Sequence, residues 1–262
     1  MPFAGVWLRS AFLPRTADMA ELFADLHIHS CLSPCADDDM TPNNICGMAS
    51  LKGLGIIALT DHNTCGNCRS FLSVAKKNGV IGVAGMELTT SEDIHVVCLF
   101  PELDDAMRFD SFVDTKRMKI KNKPEIFGDQ LILDGEDHII GIDEFLLPNA
   151  TSISIEEVGR IVSEYGGVCY PAHIDRQANG IIAILGTLPF EPSFSTVELH
   201  SRDSVSEYKD KYGLSDKLIV ISSDAHYLTD MRDAESSVSL FAEPDDHSAL
   251  RRELIKMLGG KL

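Results

Sequence analysis

Short apolar runs alternate with more polar stretches along most of the chain. The apolar runs predict strands at residues 22–28, 55–60, 80–87, 94–100, 167–171, 195–199 and 218–222. The stretches between them predict helices at residues 41–52, 68–78, 155–165, 204–212 and 246–258. Strands and helices that alternate in this way are typical of a parallel α/β arrangement.

Residues 102–150 interrupt this alternation. The first part of the segment is charged, and residues 131–141 predict a β-hairpin around Asp134-Gly135-Glu136-Asp137. We interpret the segment as an insertion near the mouth of the α/β domain. The chain shows no internal repeat and no low-complexity linker, so we predict a single domain over residues 1–262, with residues 1–20 as an N-terminal tail.

Composition narrows the class of protein. Hydrophobic residues make up 44% of the 262 residues, which is enough to bury a core, and no run is long and apolar enough to span a bilayer. The N-terminal residues lack the pattern of a signal peptide, and the seven cysteines are an odd number in a chain too long to need disulfide support. We therefore expect a cytoplasmic protein with reduced thiols and no membrane contact.

The chain is strongly acidic, with a formal net charge of −17 from 40 acidic and 23 basic side chains. This charge argues against a broad basic face that holds long nucleic acid. A small phosphorylated substrate stays compatible with it, because bound cations would change the sign of the local electrostatic field.

Six of the nine histidines lie in or at the ends of predicted strands, together with acidic side chains. The segments are Asp25-Leu26-His27-Ile28-His29-Ser30, Thr60-Asp61-His62-Asn63, Gly85-Met86-Glu87, His95, Tyr170-Pro171-Ala172-His173 and Ser222-Ser223-Asp224-Ala225-His226. In a parallel α/β barrel the carboxyl ends of the strands meet on one face, so these side chains are expected to converge there. Mixed nitrogen and oxygen ligands suit zinc, manganese or iron(II) better than a lone magnesium or calcium ion.

The ordered set D-x-H-x-H-S, T-D-H, G-x-E, a strand histidine, P-A-H and S-D-A-H resembles the PHP (polymerase and histidinol phosphatase) superfamily of metal-dependent phosphoesterases. The resemblance covers residues 25–226, nearly the whole chain. It implies a distorted (β/α)7 TIM-like barrel with a trinuclear metal centre at the C-terminal face of the strands. It also implies hydrolysis of phosphate esters, with family substrates that range from histidinol phosphate and nucleotides to nucleic-acid ends.

The resemblance assigns ligands for two or three divalent ions of zinc, manganese or iron. The first ion is expected between His27, His29, Glu87 and Asp224. The second is expected between His62, His226 and an acid that follows the first motif. The third is expected between Glu87, His95 and His173.

The acid of the second ion is the one departure from the family pattern. The family usually places it five residues after the second histidine, shortly before a helix-starting proline. Here residues 30–36 stretch that spacing, and three acids follow it: Asp37, Asp38 and Asp39. Counting back from Pro42 favours Asp37, and Asp38 is the alternative.

The implied reaction is hydrolysis of a small phosphomonoester, such as a nucleotide or an amino-alcohol phosphate, by a metal-bound hydroxide. Asp224 holds the ions, and His226 or His200 could protonate the leaving alkoxide. Arg176, three residues after His173, is expected near the mouth and could bind phosphate, with Arg202 as a second candidate. For each arginine a surface ion pair is an equally good interpretation.

Four cysteines lie in the two loops expected on the metal face: Cys31, Cys35, Cys65 and Cys68. They could form a four-thiolate zinc or iron site or a redox-sensitive pair, or they could simply be small buried residues.

Two alternative functions stay open beside the small-substrate phosphatase. One is a nuclease or oligonucleotide phosphodiesterase, and the other is a non-catalytic metal- or redox-sensing module.

Overall fold

The computed structural model describes residues 19–243 and 245–261. Its strands are β1 Met19–Ile28, β2 Ile56–Leu59, β3 Ile81–Thr89, β4 His95–Phe100, β5 Leu131–Leu133, β6 Ile139–Ile142, β7 Val168–Pro171, β8 Thr196–Leu199, β9 Leu218–Ile221 and β10 Ser237–Phe241. Its helices are α1 Pro42–Leu51, α2 Cys68–Lys77, α3 Leu103–Asp114, α4 Pro124–Phe127, α5 Ile155–Glu164, α6 Ile181–Leu185, α7 Val205–Tyr212 and α8 His247–Leu258. The first 18 residues of the predicted N-terminal tail lie outside the described residues, and residues 19 and 20 belong to β1.

Six strands form a curled mixed sheet in the order β10-β1-β2-β3-β4-β7, which makes half a barrel. β1, β2 and β3 are parallel neighbours, whereas β10 pairs with β1 in the antiparallel sense. β8 and β9 form a separate parallel pair, and β5 and β6 form an antiparallel hairpin. The prediction of an α/β fold built on a distorted barrel is confirmed, and each predicted strand and helix has a counterpart within a few residues of its predicted bounds.

Single backbone contacts connect the β8–β9 pair to the two sides of the half-barrel. The Ile174 N–H, just beyond β7, donates to the Glu198 carbonyl on β8 (2.8 Å). The His29 N–H, just beyond β1, donates to the Ala225 carbonyl that follows β9 (3.0 Å). The segments after β1, β7 and β9 are therefore drawn together at one edge.

β4 runs against its neighbours, so the expectation that these strands are all parallel is wrong for this one. The physical reason is the short connection from Thr89 to His95, which is long enough for a hairpin but not for a crossover helix. Asp93 in this turn has φ of 62°. Gly85 permits the close approach of β3 to β4, because a Cβ there would lie 2.6 Å from the Cys98 carbonyl oxygen. The reversal places His95, the first residue of β4, at the edge where β3 ends.

The central strands are buried on both faces. Ile57 and Leu59 of β2 belong to the apolar cluster that includes side chains of α1 and α2. Ile56 and Ala58 belong to a second cluster on the opposite face, where Leu254 of α8 packs. Side chains alternate between the faces of a strand, so a strand covered on both sides reads as one continuous apolar run.

The segment 102–150 has two parts. Its first part is α3, which the sequence pattern does not predict, and which buries Ala106, Phe109 and Val113 on the core. Residues 115–150, here named the arm, contain α4 and the β5–β6 hairpin, so the predicted hairpin is present. The arm exposes the apolar side chains Ile139 and Ile140.

The arm is fastened to the loop that follows β2. The Asn63 side-chain amide donates to the carbonyls of Leu147 (2.8 Å) and Asn149 (2.9 Å). The Leu133 N–H donates to the Asn67 side-chain oxygen (2.9 Å). The arm therefore lies beside the edge where β2 ends. In the part of the chain that the structure describes, no helix combines the length and apolar character needed to cross a bilayer.

Candidate metal centre

Four buried side chains from three strand ends form what we name the inner group: His27, His29, Glu87 and Asp224. One potential ligand atom from each lies within 4.8 Å of the others. The Nε2 atoms of His27 and His29 are 3.2 Å apart. The Asp224 Oδ1 atom is 3.3 Å from the first of these nitrogens and 3.2 Å from the second. This is the set that the resemblance assigns to the first ion, and the structure brings it together.

Glu87 lies at the centre of the histidines. Its carboxylate oxygens are between 2.8 and 3.5 Å from ring nitrogens of five residues: His27, His29, His62, His95 and His173. Burial alone would raise the pKa of Glu87, but attraction to the rings of His95 and His27 outweighs burial and holds this pKa well below its usual value. A carboxylate with neighbours on both sides can bridge two ions, which is the predicted role.

A second set, the outer group, consists of His29, His62 and His226, whose ligand nitrogens also lie within 4.8 Å of one another. The acid predicted to join His62 and His226 is not among them. Asp37 is exposed, and its Oδ1 atom accepts the Asp39 N–H (2.9 Å). The sulfur of Cys35 lies nearest instead, 3.3 Å from the His62 Nε2 atom.

Cys35 is exposed as a residue, while its sulfur meets two of the outer-group rings. Burial of the sulfur would raise the pKa of this thiol. Hydrogen bonds with His226 and His62 outweigh that cost and lower the pKa to about 6. In Cys31, by contrast, burial raises the pKa of the thiol to about 12, so the two cysteines of this loop differ in acidity.

The four loop cysteines do not meet in a thiolate site within the described residues. Cys31 Sγ faces the Leu131 carbonyl at 4.0 Å. Cys65 and Cys68 both point at the Gly85 carbonyl, at 3.2 and 3.4 Å. The four-thiolate site is therefore not formed, because Cys31 and Cys35 each face a different partner from the one that Cys65 and Cys68 share. Three of the four are buried packing residues, and Cys35 alone faces the histidines.

A second layer of hydrogen bonds fixes the two histidines of β1. His27 Nδ1 contacts the Glu198 Oε1 atom (2.8 Å), which also accepts the His173 N–H (3.1 Å). His29 Nδ1 contacts the Ser33 hydroxyl (2.9 Å), and this hydroxyl donates to Asp61 (2.8 Å). Each Nδ1 therefore donates its proton outward, which leaves the Nε2 lone pair directed at the inner group.

Two side chains of the cluster stand on unusual backbone. His173 has φ of 25° and Asp224 has φ of 52°, in a region that residues other than glycine seldom adopt. Neighbouring hydrogen bonds hold them there: the Arg176 N–H donates to the His173 carbonyl (2.8 Å), and the Ser223 N–H donates to Asp25 (2.9 Å). Such conformations concentrate at functional sites, where the surroundings compensate for the strain.

The residues present fit a group of divalent cations. Nδ1 of His62 and of His95 lies close to a Glu87 oxygen, at 3.0 and 2.8 Å, without the geometry of a hydrogen bond. Nδ1 of His173 and Oδ1 of Asp224 are also buried without a hydrogen-bond partner among the described residues. Buried polar atoms are almost always satisfied, and cations placed between imidazole and carboxylate ligands would satisfy these. The buried histidine, glutamate and aspartate groups are therefore able to bind metal ions.

A polar cavity of about 500 Å³ opens beside Asp224. Arg176, His200 and Arg232 line it. The Arg176 guanidinium contacts the Asp224 carboxylate and reaches His200 Nδ1 (3.1 Å). Arg202, the other predicted phosphate ligand, does not line this cavity: its guanidinium donates to the Ser236 hydroxyl (2.7 Å) and the Glu235 carbonyl (3.2 Å).

Three residues near the site are not predicted from the sequence. Glu198 could have been recognised from the sequence pattern, because it is the one acid inside the buried strand Thr196–Leu199. Cys35 is among the candidate thiols but not assigned to the histidines. Arg232 carries no local signal, because it lies in a loop and reaches the cavity only through long-range contacts, with its N–H on Asp25 (3.2 Å).

Known proteins share this architecture at low sequence identity. A lesion-specific endonuclease from Pyrococcus furiosus superposes with a TM-score of 0.61 at 17% identity, over 92% of this chain and 56% of that protein. A proposed metal-dependent phosphoesterase from Bifidobacterium adolescentis superposes with a TM-score of 0.53 at 17% identity, over 90% of this chain and 96% of that one. At these identities the likeness concerns the fold.

At the level of sequence, 77 residues are 36% identical to an uncharacterized protein of Methanocaldococcus jannaschii. That match covers 26% of this chain and 45% of the archaeal protein. The model of the PHP domain matches residues 25–225, from the first strand of the metal edge to the residue before His226. Because that match spans most of the chain, this protein belongs to the PHP domain family, and its buried ligand groups accompany the match.

Proposed function

We propose that the protein hydrolyses phosphomonoesters of small molecules at the edge where Glu87 meets the five histidines. The observation that carries this proposal is the cavity beside Asp224, whose volume of about 500 Å³ is that of a small-molecule site. It borders the inner group through Asp224 and is lined by Lys52, Arg176 and Arg232. These three cations share the lining with four acids, Asp224, Asp230, Asp233 and Glu235, so the attraction for an anionic substrate would come from Arg176 together with the bound ions.

The ligands of two or three ions of zinc, manganese or iron are proposed as the resemblance assigns them, except for the acid of the second ion, because Asp37 is exposed and outside the ligand groups. They are His27, His29, His62, Glu87, His95, His173, Asp224 and His226. When bound, such ions activate a water molecule and neutralise charge on the phosphoryl oxygens. The protein holds the ligand atoms ready, because the second layer at Glu198 and Asp61 directs each Nε2 lone pair inward.

Arg176 is the proposed phosphate ligand. Its side chain is 37% exposed, so it can turn from Asp224 toward a substrate in the cavity and bind two phosphate oxygens at once. His200 positions it: burial and the positive charges of Arg176 and Arg232 lower the pKa of His200, which leaves the ring neutral at pH 7. A neutral Nδ1 accepts a hydrogen bond from Arg176 (3.1 Å). His226 is proposed as a metal ligand and not as the proton donor, because an ion-bound imidazole is not free to deliver a proton to the leaving group.

A second candidate function is cleavage at the ends of short oligonucleotides. Tyr227 follows His226 directly and its side chain is 52% exposed, so its ring is available to stack on a nucleobase. The fold is also that of an endonuclease Q solved with a 27-mer duplex that carries an abasic lesion at the active site, at a TM-score of 0.51 and 17% identity over 80% of this chain and 50% of that protein. Both candidates use the same metal groups, and they differ in the length of substrate that the cavity admits.

A hydrolysis panel tests the proposal. Protein purified anaerobically is reconstituted with manganese, zinc or iron(II) and offered nucleoside monophosphates, other small phosphomonoesters and short 5′-phosphorylated oligonucleotides. Asp224→Ala provides the blank, and Asp216→Ala, an exposed acid, is the matched control. We expect release of phosphate from monoesters by the parent and by the control variant, and none by Asp224→Ala.

Cleavage of oligonucleotides alone would establish the second candidate instead. If the protein hydrolysed no substrate of the panel while elemental analysis confirmed its bound ions, both candidate functions would be overturned. That result would favour a metal-sensing module.

A further inference from the structure

The loop between β1 and α1 is folded against the metal edge by backbone contacts. The Asp37 N–H donates to the His226 carbonyl (2.9 Å), which links this loop to the segment that follows β9. The Cys31 N–H donates to the Met40 carbonyl (2.9 Å), which closes the base of the loop. Between these two points the chain places Cys35 over the outer group.

The geometry of the outer group leaves one position for a further ligand. His29, His62 and His226 already offer three nitrogens within 4.8 Å of one another, a group that could hold an ion. The Cys35 sulfur is 3.3 Å from His62 Nε2 and also contacts His226. Its sulfur is therefore a candidate further donor beside two of these rings, although it lies outside the 4.8 Å set itself.

No carboxylate competes for that position in the described part of the loop. Asp37, Asp38 and Asp39 are all exposed, and, like Cys35, none belongs to a group whose ligand atoms all lie within 4.8 Å of one another. Of these four residues, Cys35 is the one with a donor atom in contact with the outer-group rings. Asp37 Oδ1 accepts the Asp39 N–H (2.9 Å), which turns its carboxylate along the loop. The chain thus delivers a sulfur where the resemblance expects an oxygen.

We infer that the Cys35 thiolate is a ligand of the outer ion, together with His62 and His226, in place of a carboxylate. On binding, the thiol transfers its proton to solvent as the metal–sulfur bond forms, with no change of oxidation state. A thiolate is a soft ligand, so this ion position should prefer zinc or iron(II) over manganese or magnesium. The inference rests on the metal centre of the proposed function and names a ligand and a metal preference for it.

The absorption spectrum of bound cobalt(II) reports sulfur ligation and does not depend on catalytic turnover. The metal-free protein is titrated anaerobically with cobalt(II), and the thiolate-to-cobalt charge-transfer band in the near ultraviolet is recorded together with the number of ions bound. We expect the band in the parent and its loss in Cys35→Ser. Cys31→Ser is the matched control, because its sulfur faces the Leu131 carbonyl, and it should keep the band.

Two further variants separate sulfur from oxygen. Cys35→Asp should bind as many ions as the parent without the band, and should shift the preference of the outer ion from zinc toward manganese by about tenfold or more. Asp37→Asn should keep both the band and the ion count. Circular dichroism of each metal-free variant establishes that it is folded.

A parent protein without the band overturns the inference, and so does a band that persists in Cys35→Ser. Loss of an ion from Asp37→Asn would return the ligand role to the acid. Failure of the proposed phosphatase activity would leave the cobalt spectrum unaffected, so the two results are distinguishable.

Discussion

The inner group and the rim of the metal centre differ in how firmly the chain holds them. The inner group of His27, His29, Glu87 and Asp224 is buried, and hydrogen bonds orient the ring of each of its two histidines. The rim, which we define as Cys35, Arg176, His200 and His226, lies on loops and is partly exposed. Arg176, for example, is 37% exposed.

This difference separates two tasks. Ligands that share one small volume must be fixed before the ions arrive, because a misplaced nitrogen or oxygen weakens binding of every ion that it touches. Side chains that meet the substrate must be able to move as it enters. We therefore expect substitutions in the inner group to remove ions, and substitutions in the rim to change substrate binding or metal preference.

The largest effect is expected at Glu87. Glu87→Gln keeps the shape of the side chain but removes the charge that faces five histidines. Because this carboxylate contacts both the inner and the outer histidines, we expect loss of at least one ion. The rate of hydrolysis should fall on the order of 10³-fold, which is about 4 kcal/mol.

Elemental analysis and steady-state kinetics measure these two losses. Glu207→Gln, on the exposed face of α7, is the control. A Glu87→Gln protein with a full complement of ions would contradict the idea that the inner group depends on this charge.

The second effect, one layer further out, is expected at Glu198. Its carboxylate fixes His27 and also accepts the backbone N–H of His173. Glu198→Gln should weaken metal binding by about 10- to 100-fold, which is typical for the partner of a ligating histidine. Competition with a chelator of known affinity measures it. Unchanged affinity would show that packing alone orients the His27 ring.

The same division explains how much of the molecule could be predicted from the sequence. The strands could be predicted because both faces are buried, as in Ile56–Leu59 where each residue is buried. The histidines at the strand ends then follow from the architecture, and the inner group was assigned in full. The antiparallel direction of β4 could also have been predicted, since only five residues separate Thr89 from His95.

The rim could be predicted only in part: the sequence indicates Arg176, His200 and His226, but the contacts of Cys35, and those of Arg232 beside the rim, join distant segments. The position of Cys35 depends on the bond from Asp37 to the His226 carbonyl, across most of the chain length. Arg232 reaches the cavity through Asp25 and His200. Spacing rules describe local geometry, so they favour Asp37, whereas the Cys35 sulfur is the loop atom that lies beside the His62 ring in the folded protein.

A third, smaller effect is expected at Arg176, inside the rim. Arg176→Lys keeps one positive charge but loses the planar pair of donors that can bind two phosphate oxygens. We expect KM for a phosphomonoester to rise about tenfold, equal to about 1.4 kcal/mol, with the ion count unchanged. A fall in bound metal would mean that Arg176 supports the Asp224 carboxylate rather than the substrate.

The smallest effect is expected at Arg202, and measuring it tests which of the two arginines binds the substrate. From the sequence, Arg176 is the first candidate for the phosphate and Arg202 the second, since each follows a strand that ends near the metal edge. In the folded protein Arg202 donates to Ser236 and Glu235, and it does not line the cavity beside Asp224. Arg202→Ala should therefore change kcat/KM by less than about twofold and stability by no more than about 0.5 kcal/mol. A tenfold rise in KM would show instead that the substrate extends beyond the cavity toward β10, as a longer phosphodiester would.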